Sequence, residues 1–222
     1  MLTLYHYNLC PISRMIRILF HEQGIEYSLE KIEYWREKKR LLLLDPVAEL
    51  PMIKPEQTKL IAGIYPVIEY LITLTPDFHL CQLSQSELAE MRRVIYWINS
   101  RFSKEVTGYI LSEKLVKLVS REGSLRTEFL RAARINFLHH MNYFYELIQA
   151  NGNVASQTLS IADIFLASHI SVLDYFGEIN WDKHNWLKEW YAPIKSRPSF
   201  RKILSERVGA VNPPEYYENL DF

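Results

Sequence analysis

Residues 2–24, LTLYHYNLCPISRMIRILFHEQG, read as a strand, a turn and a helix. Leu2, Leu4 and the aromatic Tyr5 suit a short buried strand. Asn8 to Pro11 is turn chemistry, and Pro11 stands where a helix can begin. From Ile12 the apolar residues Ile12, Met15, Ile16, Leu19 and Phe20 recur at helical spacing, and Gly24 ends the run. Cys10 therefore lies just before a helix N-terminus. Backbone N–H groups and the helix dipole favour a thiolate at that place.

Working outward, Ile25 to Ile32 alternates well enough for a second strand, through Ile25, Tyr27 and Leu29. The stretch EYWREKKRLLLLDP opens charged around Trp35, turns apolar and stops at Pro46, giving a loop and a short helix. Leu50-Pro51-Met52-Ile53 reads as a strand beginning at a proline, Lys54 to Gln57 as a hairpin turn, and Thr58 to Ala62 as the returning strand. Ile64, Val67, Ile68 and Leu71 line one face of a helix over 64–74. A crossover pair followed by a hairpin and a helix predicts an α/β domain over residues 1–75. Thr75 to Ser84 is the linker. The remainder, 85–222, has helical patterning only: a helix from Leu88 toward Lys117, bendable at Val106 to Gly108, then helices over 126–150, 161–176, 181–195 and 199–207. The ending NPPEYYENLDF predicts an extended tail.

Composition narrows the function classes. Of 222 residues, 26 are Lys or Arg and 26 Asp or Glu, so no global charge draws the chain to nucleic acid. Arg14 and Arg17 interrupt the first apolar segment, so neither a secretory leader nor a membrane span is expected. The 2 cysteines, Cys10 and Cys81, are no disulfide framework and point to a reducing cytoplasm. No His or Cys cluster has metal-site spacing, and His139-His140 point about 100° apart on a helix.

Three local features resemble the cytosolic glutathione transferase family, a thioredoxin-like domain followed by an all-α domain. Cys10-Pro11-Ile12-Ser13 resembles the thiol-bearing motif of its omega and glutaredoxin-like branches. Leu50-Pro51 resembles the family's X-Pro pair, which implies a cis proline whose neighbour binds the cysteinyl part of glutathione. Leu159-Ser160-Ile161-Ala162-Asp163 resembles the capping box of the helical domain, which gives Ser160 and Asp163 a structural role. The runs EVTGYILSEK, SVLDYFGEINWDKHNWLKEWYAPIKSRPSFRKILSERV and PPEYYENLDF are similar to the FtsZ-localised, glutathione-transferase-like branch of bacterial cell division. That resemblance implies a homodimer that binds FtsZ without being an enzyme and needs no cofactor.

Each candidate has two readings. Cys10 is a reactive thiolate assisted by Ser13, or a small residue packed at a helix cap; Tyr5 and Tyr7 are weaker hydroxyl candidates. By the resemblance, glutathione would be held by Cys10, Ser13, Leu50, Pro51, Gly63 and Ile64. The family's acidic-Ser pair falls on Gly63 and Ile64, counted back from Tyr70-Leu71. Ile64 has no hydroxyl for the γ-glutamyl carboxylate, a loss of about 1.5–3 kcal/mol. Trp35 anchors a partner or covers its own domain. A partner surface is expected from Trp35, the helix face with Glu113, and the tail with Asn219 and Asp221; its alternative is a tail packed only on its own domain. The first function implied is a non-catalytic FtsZ-binding protein. The alternative is a glutathione S-transferase or thiol transferase using Cys10.

Overall fold

The computed structural model describes residues 1–121, 123–209 and 211–220. The chain divides into two compact units, Met1–His79 and Leu80–Phe222. The division falls inside the linker read from the sequence.

In the first unit four strands, β1 (Leu2–His6), β2 (Tyr27–Lys31), β3 (Met52–Lys54) and β4 (Ile61–Ala62), form one mixed sheet ordered β2-β1-β3-β4. β2 runs parallel to β1, as a helical crossover requires, while β3 and β4 are antiparallel neighbours. Leu2, Leu4 and His6 are buried on one face of β1, the period-two pattern of a half-buried strand. α1 (Pro11–Glu22) follows β1 and buries every residue from Ser13 to Phe20, including Arg14 and Arg17. α2 (Lys38–Leu44) is short, with only Leu41 buried. α3 (Ile64–Leu74) buries Ile64, Val67, Ile68 and Leu71. Gln23, at the end of α1, donates from Nε2 to the Leu71 carbonyl at 3.1 Å and so ties α1 to α3.

The second unit is helical. α4 is one continuous rod over residues 85–120: α-helical over Gln85–Trp97, Gly108–Leu111 and Lys117–Ser120, and π-helical over Ile98–Thr107 and Ser112–Val116. Ser84 and Glu87 form a capping box at its start. The Gly108 N–H reaches the Ser103 carbonyl, five residues back. A Cβ at Gly108 would come within 2.9 Å of that oxygen, so this wide turn fits a residue without a side chain. The bend read at Val106 to Gly108 is thus a change of helical period. α5 (Thr127–Asn151) follows, and α6 (Ile161–Tyr175) is buried at every residue, the burial of a central helix. α7 (Asn185–Lys195) and α8 (Pro198–Leu204) close the unit.

The tail is not wholly extended. Glu215–Glu218 makes one 3₁₀ turn, and Tyr217 is completely buried, edge-on to Tyr175 at 5.2 Å. The Tyr175 hydroxyl donates to the Val211 carbonyl at 2.7 Å, and Arg207 pairs with Glu218. Aromatic burial explains why this segment takes fixed structure without helical periodicity.

Candidate functional site

Strand register gathers one set of candidates. Tyr5 pairs with Met52, and Met52 with Ala62. The end of β1, the start of β3 and the end of β4 therefore meet at one end of the sheet. Cys10 and Ser13 follow the first, Leu50 and Pro51 precede the second, and Gly63 and Ile64 follow the third. The Leu50-Pro51 peptide is cis.

Cys10 caps α1 with extended backbone, and its N–H donates to the Tyr7 carbonyl at 3.1 Å. Ser13 is buried, and its Oγ lies 3.4 Å from the Tyr7 nitrogen. Arg14 Nε donates to the Asn8 carbonyl at 2.8 Å, holding the turn. Cys10 keeps some exposed surface, yet it sits deep enough that burial pushes its thiol up. The Ser13 hydroxyl, the N–H groups of Ser13 and Ile12, and the Arg14 charge all pull the other way and do not offset it. The thiolate expected from helix position alone is therefore not the resting form; desolvation outweighs the dipole.

An aromatic cluster neighbours Cys10 through Tyr34. Tyr7, Tyr34 and Trp35 pack edge to face, with Tyr7–Trp35 and Tyr34–Trp35 centroids both at 4.8 Å and Tyr7–Tyr34 at 6.1 Å. Burial raises the Tyr34 phenol well above its ordinary value, and the neighbouring Cys10 and Tyr7 add to the rise. Trp35 is half-buried, its ring packed on Tyr7 and Tyr34 of its own unit. Tyr34 was missed by sequence reasoning, although its place beside Trp35 was a usable signal.

At the third strand end, Gly63 caps α3 with φ +88, a conformation glycine adopts freely, and Ile64 is buried. Neither side chain can donate to a carboxylate. The helix N–H groups remain as donors at that end.

Of the candidate partner residues, Glu113 is buried and Asn219 exposed. Glu113 is not on an outward face: its side chain is only 1% exposed. Burial pushes its carboxyl up, but Lys117, 2.5 Å away, the Arg126 N–H at 2.9 Å and the Arg126 charge bring it below the usual carboxylate range. The carboxylate joins α4 to the start of α5, a role spacing on a single helix cannot reveal. Asn219 is exposed after the 3₁₀ turn, while Asp221 lies outside the described residues. Asp163 is fully buried and accepts from the Ser160 N–H at 2.9 Å, the Ser160 hydroxyl at 2.8 Å and the Val154 N–H at 2.9 Å. Those bonds fix the loop ahead of α6. Among the described residues, no His, Cys, Asp and Glu group could hold a metal ion, and no helix is long and apolar enough to cross a membrane.

The model of the glutathione S-transferase N-terminal domain matches residues 4–77. FtsZ-localized protein A of Caulobacter vibrioides is 32% identical over 99% of this chain and 98% of its own. The chain belongs to the glutathione S-transferase family. Within that family its likeness to the FtsZ-localized branch extends to structure: FzlA from C. crescentus superposes with TM-score 0.92 at 32% identity, covering 100% of this chain and 99% of that one. A glutathione S-transferase from Rhodospirillum rubrum F11 superposes with TM-score 0.93 at 35% identity over 100% of both chains. The fold is that of a glutathione S-transferase, thioredoxin-like in its first unit and helical in its second.

Proposed function

We propose that this chain is a cytoplasmic, homodimeric protein of cell division that binds FtsZ and uses the glutathione S-transferase fold as a scaffold rather than a catalyst. The observation that carries this reading is the 32% identity to FtsZ-localized protein A along essentially the whole of both chains. Two features of the first unit support it: a Cys10 thiol that burial keeps protonated, and Ile64 at the place of the family's hydroxyl. The tail with exposed Asn219 belongs to the FtsZ-facing surface in this reading, and half-buried Trp35 of the first unit is a separate candidate anchor.

The test pairs co-pelleting with FtsZ polymers and calorimetry with glutathione. Co-pelleting, with glutathione affinity no tighter than about millimolar, is the expected result. Light scattering at micromolar protein should give twice the chain mass. No co-pelleting together with tight glutathione binding would overturn the proposal in favour of the second reading. That second reading, a transferase acting through Cys10, is favoured by the likeness to the Rhodospirillum rubrum enzyme and by the donors that Ser13 and Ile12 direct at the sulfur. In it glutathione is the required thiol, and Cys10→Ser abolishes turnover.

A further inference from the structure

The second unit contains a pocket of about 300 Å³ that none of the site residues above touches. Its walls are apolar: Val106 and Ile110 from α4, Ala133 and Phe137 from α5, and Leu173 from α6. The volume lies at the lower end of the range for small-molecule sites. Val106 is in the π-helical stretch of α4, one turn before Ile110, and Gly108 between them makes the five-residue hydrogen bond described above. Changes of helical period of this kind occur often where a helix lines a binding site.

Charge at the mouth is unbalanced. Arg134 and Lys183 line the pocket together with one carboxylate, Glu178. Glu178 is already engaged twice: Arg134 Nε donates to it at 2.9 Å, and Lys114 pairs with it. Two cations thus share one anion, and Lys183, which is exposed, makes no ion pair among the described residues. His184 stands edge-on to Phe137 at 5.5 Å; burial, then the Lys183 charge, holds its imidazole below the ordinary range, so at neutral pH it offers a ring hydrogen bond without charge.

We infer that this pocket binds a small amphipathic anion, an aryl or branched alkyl carboxylate, with its apolar body against Val106, Ile110, Phe137 and Leu173 and its carboxylate at Lys183 and His184. The apolar walls supply burial, and the excess positive charge selects the sign of the head group. This assignment uses none of the residues assigned above to FtsZ or to glutathione.

The experiment uses the full-length protein and three probes of one shape: 4-phenylbutyrate, 4-phenylbutan-1-ol and 4-phenylbutylamine. Amide shift mapping locates them and calorimetry ranks them. The carboxylate should bind best and the amine worst, with shifts centred on residues 106, 110, 133, 137 and 173. Lys183→Glu, a surface change that leaves the fold intact, should weaken 4-phenylbutyrate about tenfold by reversing one charge at the mouth. Ala133→Phe fills the pocket and should abolish binding; if it fails to fold, the Lys183 variant alone decides. Equal binding of the three probes, shifts elsewhere, an unchanged affinity in Lys183→Glu, or no binding at millimolar probe each overturns the inference.

Discussion

The state of Cys10 separates a scaffold from a transferase, and its alkylation rate reads that state. In a Cys81→Ser background Cys10 is the single thiol of the chain. An ordinary thiol of pKa about 8.5 is roughly one-tenth thiolate near pH 7.5. Burial outweighs Ser13, Ile12 and Arg14 in the folded protein, so native Cys10 must hold less thiolate than that. Iodoacetamide reacts with the thiolate, and the same chain in guanidinium provides the unperturbed reference. The expected result is a native rate about tenfold or more below the unfolded one near pH 7.5, with the native pH midpoint shifted upward. Removing the neighbouring ring by Tyr34→Ala should raise the rate, because it admits water toward the sulfur. Ser13→Ala should lower thiolate content further, since the hydroxyl is the largest of the pulls that favour the charged form. A native midpoint at or below that of the unfolded chain would refute the reasoning and restore Cys10 as a catalytic nucleophile.

Acid should destabilise the fold through its buried histidines. His6 is lowered to about 4 by burial, then by Arg17 and Lys31, and His169 to about 3 by burial alone. Below the unfolded value of 6.5 the unfolded chain binds protons that the folded one refuses, so stability falls with pH; near pH 5 each residue contributes about 2 kcal/mol of that loss. Urea unfolding should show it, and His169→Phe, whose ring joins the edge contacts of Phe102 and Phe165, should lose about 2 kcal/mol less between pH 7.5 and 5. An unaltered acid slope would count against the buried neutral imidazole. Glu113→Ala should cost about 1.5–3 kcal/mol in chemical unfolding, where a solvated rim residue would cost nearly nothing. Tyr217→Ala should cost about 3 kcal/mol, because that ring fills space beside the buried Asp174–Lys195 pair, 5.7 Å from the Lys195 nitrogen; a stability loss below 1 kcal/mol would mean that the tail is only loosely held.

The strand, helix and turn order of the first unit was legible because each segment carries its own period: two for Leu2 and Leu4, to which the structure adds His6 in place of Tyr5, and 3.6 for Ile64, Val67, Ile68 and Leu71. Chain order likewise exposed Cys10-Pro11, Leu50-Pro51 and the Ser160–Asp163 box, since caps and turns depend on neighbours within three or four residues. What depends on residues far apart in the chain was decided only by tertiary structure. Cys10 sits at a helix N-terminus by sequence, but its protonation follows from burial in the folded chain, with Tyr34 close by. Glu113 looks solvent-facing along α4 until residues 117 and 126 close over it. The tail has no period to read, and its order comes from the single Tyr217 ring meeting Tyr175 and Lys195. Local patterning states which backbone conformation a segment prefers; desolvation and ion pairing are sums over everything within several ångströms, and that sum exists only once the chain has folded.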